Sequence, residues 1–414
     1  MNIAEIITVG DELLIGQTVD TNSAWMGMQL SMRGIRVNRI ISVSDRKEEI
    51  VSALGEALKR APLVLITGGL GPTSDDITKQ TLAEFFDTKL VLNQDVLAEV
   101  TQRITRRNLE MNENNRRQAM VPENCRVLVN HAGTAPGMLF EKDGKIIVSM
   151  PGVPSEMKHI MQEHVLPLVS SMAGGRTIIH RNIMTYGTFE AKLAERLETF
   201  ETELPAMVKL AYLPAQGVIK LRLTSTGDDY ELVRKTVDEQ VRKLYGIIPD
   251  VIYGEDEVTL EETVGKLLFD NKLTVSTAES CTGGRIASMI TTVPGSSAWF
   301  RGSVVAYDNS IKTGVLGVDP VIISRHGAVS EETVRAMAAG MRKLAATDYS
   351  VAVTGIAGPT GGIPDKPVGT VWIAVASPGG VVAEKHRFAD DRQVNISRSA
   401  STALNLLRKQ IISR

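Results

Sequence analysis

A chain of 414 residues is too long for one hydrophobic core and predicts two or three domains. With 43% hydrophobic and 23% charged residues it has a globular composition, and no apolar run approaches the ~20 residues of a membrane-spanning helix. A net charge of -2 gives no nucleic-acid footprint over the whole chain, and two cysteines, Cys125 and Cys281, cannot supply a disulfide framework or an ordinary structural zinc site.

The stretch from Met1 to Glu5 lacks a charged start followed by a sustained apolar region, so it reads as a first strand and the chain is expected in the cytoplasm, with no membrane contact. Residues 3–9, 36–43 and 62–67 are strands, each followed by a segment of helical period. This β-α-β-α rhythm predicts a parallel sheet covered on both faces. Helical stretches at 76–87 and 95–110 and short strands at 126–129 and 145–149 follow, and a helix over 154–170 closes a first domain, 1–170. Arg103, Arg106, Arg107, Arg116 and Arg117 form a local basic cluster, read as a solvated helix face more readily than as a phosphate site.

In this domain an apolar strand runs into Thr67-Gly-Gly-Leu-Gly-Pro-Thr-Ser-Asp-Asp76. A glycine-rich turn at the carboxyl end of a parallel strand is where open α/β sheets bind ligands. Gly68, Gly69, Gly71 and Pro72 are therefore candidate substrate-binding residues, because such a turn lets backbone N–H groups converge on an anion. Asp75 and Asp76 would repel a phosphate unless a divalent cation lay between them, although Ser74 or Asp75 could instead cap the next helix. Asp11 and Glu12 follow the first strand, and Glu156 follows a later one; each could join the Asp pair.

Thr8-Val-Gly-Asp-Glu-Leu-Leu-Ile-Gly16, Asp20-Thr-Asn22, Gly68-Gly-Leu-Gly-Pro-Thr73 with Asp75-Asp76, and Pro151-Gly-Val-Pro-Ser-Glu156 together resemble the molybdopterin-binding-like domain of the CinA family. The resemblance implies hydrolysis of ADP-ribose to AMP and ribose 5-phosphate with a Mg, Mn or Co class ion held among Asp11, Glu12, Asp75, Asp76 and Glu156. It also leaves pterin binding open.

Residues 171–250 read as a small α+β domain, a spacer or docking module: strand 176–184, helix 188–199, a hairpin-like pair at 207–212 and 218–224, and helix 228–245. Pro, Gly and three acids mark a boundary across 247–257. A second α/β domain, 258–414, contains helix 258–270, strand 273–277, helix 283–291, strand 302–306, helix 331–346, strands 349–354, 368–376 and 380–387, and a final amphipathic helix. The predicted fold class is α/β: two domains with mostly parallel sheets joined by a small α+β domain.

Within this last domain Ser280 stands at a strand-to-helix turn, Thr277-Ala-Glu-Ser-Cys-Thr-Gly-Gly284. Thr282, Gly283 and Gly284 could present backbone amides to an oxyanion or a phosphate, and Glu279 could position a substrate or cap a strand end. Read alone, Ser280 is more often a helix cap than a nucleophile, and Cys281 is a rival whose commonest fate is burial. No histidine stands in a Gly-x-Ser-x-Gly arrangement, so a base must come from elsewhere. Lys312 follows the next apolar strand and could act if burial kept it neutral, with Tyr307 passing the proton; a surface lysine and a rim tyrosine are the plainer reading. Thr354-Gly-Ile-Ala-Gly-Pro-Thr-Gly-Gly362, with Gly355, Gly358, Gly361 and Gly362, could cradle a nucleotide phosphate.

Thr277 to Gly284, Gly302 to Asn309 with Lys312, and Gly355 to Gly362 together resemble the C-terminal domain of the same family, the nicotinamide mononucleotide amidohydrolases. That resemblance implies Ser280 as nucleophile, Lys312 as base and Tyr307 as its assistant, with no metal at this site. Expected partners are nicotinamide mononucleotide and ADP-ribose, no direct nucleic acid, and a second copy of the chain in a homodimer.

Overall fold

The computed structural model describes residues 3–73, 76–106, 110–172, 177–215 and 217–413. They form two compact units, one of residues 1–179 with 225–234 and the other of 180–224 with 235–414.

In the first unit, β1 (Ile3–Val9), β2 (Arg36–Val43) and β3 (Leu63–Thr67) are the predicted opening strands. β4 (Leu90–Leu92) and β5 (Met120–Pro122) form a separate antiparallel pair. β6 (Arg126–Leu128), β7 (Gly137–Lys142) and β8 (Lys145–Met150) complete a six-stranded sheet of order β2-β1-β3-β8-β7-β6. β2, β1, β3 and β8 are parallel, whereas β7 and β6 run antiparallel to their neighbours. Every residue of β3 is buried, as expected of a strand covered on both faces. Alternation along β1 sends Ala4 and Ile6 into one core and Ile7 and Val9 into the other.

In the second unit, β9 (Thr177–Tyr186), β10 (Val208–Ala215), β11 (Val218–Gly227) and β12 (Ile252–Glu255) form a sheet of order β10-β11-β9-β12. The C-terminal sheet contains β13 (Val275–Glu279), β14 (Phe300–Val305), β15 (Tyr349–Gly355), β16 (Thr370–Ser377) and β17 (Gly380–Arg387), ordered β14-β13-β15-β16-β17. β14, β13 and β15 are parallel and β16 and β17 are antiparallel, so this sheet is mixed. One face carries Val275, Val351, Val353, Ile373 and Val375; the other carries Ala278, Ala352, Ala374 and Ala376. Small side chains on the second face let the helix Glu331–Ala345 approach the sheet closely. Met184, Tyr186 and Tyr253 of the small module share a core with Leu260, Val264 and Leu404, so module and C-terminal domain pack as one body.

Candidate active site

β13, β14 and β15 are adjacent and parallel, and their carboxyl ends deliver the predicted residues to one sheet edge. Ser280 follows β13, Tyr307 follows β14, and Thr354 and Gly355 end β15. Ser280, Cys281, Tyr307, Asn309, Lys312, Thr354, Gly355 and Arg392 line one cavity of about 230 Å³. That is below the ~300–1000 Å³ of ordinary ligand clefts, so it suits a head group rather than a whole nucleotide.

Lys312 is 1% exposed, among the largest fully buried side chains of the protein. Its Nζ donates to the carbonyls of Ala306 at 2.8 Å and Tyr307 at 3.0 Å. Burial pushes its pKa below the ordinary lysine value, against the opposing pull of Asp308 and Cys281. This favours a neutral amine, the form a base requires. Ser280 is 8% exposed, and its backbone N–H bonds Val353 O at 3.0 Å, which anchors the turn to the central strand. No hydrogen bond joins Ser280 Oγ to Lys312 Nζ among the described residues, although both residues line the cavity. Burial raises the Cys281 thiol to about 12, which disfavours the thiolate that a rival nucleophile needs.

Tyr307 is 61% exposed, and its hydroxyl accepts a hydrogen bond from Arg392 Nη2 at 3.1 Å. Arg392 also donates to Gly358 O at 2.8 Å. Sequence reasoning did not find Arg392, nor Asn309. Arg392 is the first residue of the terminal helix Arg392–Ile412, N-capped by Asp391, and only its charge at a helix start could have signalled it.

Several predicted binding residues have other duties. Glu279 is 0% exposed and accepts from the backbone N–H groups of Gly284 at 3.1 Å, Ile286 at 3.0 Å and Ala287 at 2.8 Å. It satisfies the start of the helix Arg285–Thr291, and the expectation that it positions substrate is corrected to this role. Gly284 N is taken by Glu279, and Gly283 N donates to Ser280 O at 3.1 Å, so neither amide is open to an oxyanion. Among the described residues the N–H groups of Cys281 and Thr282 carry no such bond. The Thr282 side chain, Gly361 and Gly362 do not line the cavity, and the Thr354 hydroxyl donates to Ala328 O at 2.8 Å. Of the loop's glycines only Gly355 lines the cavity, with Thr354 and Ala357 beside it, and Gly358 serves through its carbonyl.

In the first unit, β1, β3 and β8 are neighbours, and the loops at their carboxyl ends are stitched together. Gly68 N bonds Met150 O at 3.0 Å, Thr67 Oγ1 donates to Pro151 O at 2.8 Å, and Asn22 Nδ2 donates to Gly152 O at 2.7 Å. A Cβ on Gly68, whose φ is +113°, would lie 2.1 Å from Val9 O, and one on Gly69 would lie 2.1 Å from Thr78 Oγ1, so only glycine fits either position. A Cβ on Gly71 would strike the Asp76 carboxylate, and Pro72 is exposed beside it. Buried Asn22 keeps its Oδ1 without a partner at this edge.

The carboxylates do not gather there as a ligand set. Asp76 accepts from Thr73, Glu156 accepts from Asn130 Nδ2 at 2.6 Å, and Asp11 and Glu12 are exposed on the short helix Asp11–Leu14. Asp75 lies outside the described residues. Among the described residues no three His, Cys, Asp or Glu side chains converge on a metal position, so Asp11, Glu12, Asp76 and Glu156 as they stand do not fit a divalent ion. Of the basic cluster, Arg103 and Arg106 line a separate cleft of about 480 Å³ with Asn130 and His131.

Residues 5–171 match the probable molybdopterin binding domain, residues 180–254 the damage-inducible protein CinA KH domain, and residues 257–411 the CinA C-terminal domain. A CinA-like protein from Cytophaga hutchinsonii is 47% identical over 408 residues, covering 99% of this chain and 98% of its own. The chain belongs to the CinA family. A putative competence-damage inducible protein from Halothermothrix orenii is 41% identical over 394 residues, 95% of each chain. A solved CinA of unknown function from Thermoplasma acidophilum is 36% identical, covering 39% of this CinA-family chain and 94% of its own, with a TM-score of 0.36. No helix among the described residues of this CinA-family chain is long and apolar enough to cross a membrane.

Proposed function

We propose that the C-terminal cavity is the active site of an amidohydrolase that converts nicotinamide mononucleotide to nicotinate mononucleotide and ammonia. The observation that carries this reading is the convergence of Ser280 with a buried lysine, its pKa lowered by desolvation, in one small cavity. Ser280 Oγ attacks the carboxamide carbon while neutral Lys312 Nζ takes the hydroxyl proton. The N–H groups of Cys281 and Thr282, left free by the turn, stabilise the oxyanion. The protonated amine then returns its proton to the departing nitrogen, ammonia leaves, and an acyl-serine remains. Water, deprotonated by the same lysine, releases the acid and regenerates the hydroxyl. Arg392, a cation at the mouth of the cavity, suits the 5′-phosphate of a nucleotide whose ring occupies the interior.

The test is ammonia release from nicotinamide mononucleotide, with and without chelator, by wild type and Ser280→Ala. Chelator-resistant release that disappears in Ser280→Ala is expected; equal release by the two proteins would remove the nucleophile assignment.

For the first unit the companion proposal is hydrolysis of ADP-ribose, supported by the glycine turn and the unpartnered Asn22 oxygen at the β1, β3 and β8 edge. AMP formation from ADP-ribose, measured with and without chelator, tests it; no AMP in either case would remove the reading. The names of the relatives favour a competence or damage-response role; a nucleotide-binding regulator would bind these ligands without turnover in the same assays.

A further inference from the structure

A larger cleft, about 650 Å³, opens within the second unit between the small module and the C-terminal domain, and it shares no lining residue with the Ser280 cavity. We propose that this cleft is a second nucleotide site, binding a nucleoside monophosphate through its phosphate and its planar base. Its volume falls in the ~300–1000 Å³ range of small-molecule clefts.

The charges lining it are Arg387, Arg398, Lys409, Glu190, Glu384 and His386. None of the three cations lies within ion-pair distance of a carboxylate among the described residues, although the chain as a whole is slightly acidic. Glu384 faces His386 at 3.2 Å, and Glu190 sits in the first turn of the helix Glu190–Thr202, where it offsets part of the positive field. Burial lowers the His386 pKa and favours the neutral ring. One net positive charge remains.

Asn405 and Thr188, both in the lining of the cleft, add polar groups. Asn405 is 5% exposed, and its Oδ1 accepts from Arg408 Nε at 3.1 Å, which fixes the amide orientation. Its Nδ2 has no protein acceptor among the described residues and lies 3.5 Å from where a Cβ on Gly187 would stand. Gly187, at φ +86°, both makes the turn and keeps that wall open. The next residue, Thr188, buries its hydroxyl without a partner. The helix Glu190–Thr202 then begins with Phe189 at the cap and no side-chain acceptor for its first N–H groups. Free amides, an orphan hydroxyl, an orphan amide and three cations form a phosphate receptor.

Aromatic surface supplies the second half of the recognition. His386 and Phe388 stack at 5.6 Å with planes 1° apart, and Phe189, also in the lining, stands 81% exposed. An aromatic left in solvent beside a stacked pair is suited to cover a planar base.

AMP is the probe, used with the full chain and read by hydrogen exchange. AMP is expected to slow exchange across residues 186–193 and 384–389, with adenosine or inorganic phosphate alone about tenfold weaker or more. Asn405→Asp keeps the acceptor for Arg408 but replaces the donor by a negative charge, and it is expected to weaken AMP binding about tenfold or more. A paired Arg398→Glu, Lys409→Glu variant is expected to do the same, and melting without AMP confirms that each variant folds. These outcomes would overturn the proposal: protection confined to the Ser280 cavity or the first unit, no protection, adenosine binding as tightly as AMP, or folded variants binding like wild type. Phosphate protecting as well as AMP would overturn the nucleotide assignment and leave a plain phosphate site.

Discussion

Lys312 carries the proposed chemistry because desolvation has moved a cation-forming group toward its neutral state inside a protein cavity. The pH dependence follows in sign: the base works only when neutral, so kcat/KM should climb as pH rises through the lowered Lys312 pKa, below the ~10.4 of an ordinary lysine. A rate that falls as pH rises through the alkaline range would argue against a lysine base. Lys312→Arg should cost about 10²-fold or more, since a guanidinium stays charged at any working pH. Glu279 invites a different measurement. Three backbone N–H groups depend on its carboxylate, so Glu279→Ala should destabilise the fold by about 2–4 kcal/mol in thermal melts, with Glu279→Gln intermediate. An apolar pattern makes strand ends visible and so brought Ser280 and Lys312 towards one sheet edge. Read alone, they were a helix cap and a surface lysine, and the roles of nucleophile and base came from the family resemblance. The role of Glu279 was not legible, since nothing local separates a carboxylate aimed at a ligand from one turned onto its own helix. Arg392 was hidden by distance, 85 residues from the tyrosine it touches.

The elements show the same division between pattern and packing. The buried parallel strands were readable as continuous apolar runs, and β3 and β13 lie where those runs are. β7 escaped notice although Asp143-Gly144, a strong hairpin signal, joins it to β8 with φ +52° and +73°. That omission matters, because the hairpin makes one edge of the first sheet antiparallel. Helix packing is less visible still. Gly340 sits inside the helix Glu331–Ala345, where alanine would ordinarily help by up to about 1 kcal/mol. Here a Cβ would lie 1.8 Å from Leu316 O, so Gly340→Ala should lower the melting temperature instead. A gain in stability would show that the helix can shift away from the segment carrying Leu316.

At the scale of the molecule, the buried guanidinium of Arg408 ties the end of the small module to the C-terminal domain. Nη1 donates to Ile252 O at 2.9 Å and Nη2 to Asp250 O at 3.3 Å. Arg408→Met strands both carbonyls and should cost about 2–4 kcal/mol, seen in calorimetry as an earlier transition for the second unit. An unchanged transition would mean that the shared core around Tyr186 and Leu404 suffices. Composition made several domains legible, but the joint between module and domain rests on partners too far apart in sequence for any local pattern to reveal. Tyr186, for one, hydrogen-bonds Thr402, 216 positions later. The terminal helix that carries Thr402 also presents Arg392 to one cavity and Asn405 to the other, about 20 Å further along its axis. A ribosome makes this helix only after every strand it covers. Until it emerges, the apolar faces that it will cover, including those around Met184 and Tyr186, wait exposed on the growing chain, open to chaperones and to self-association.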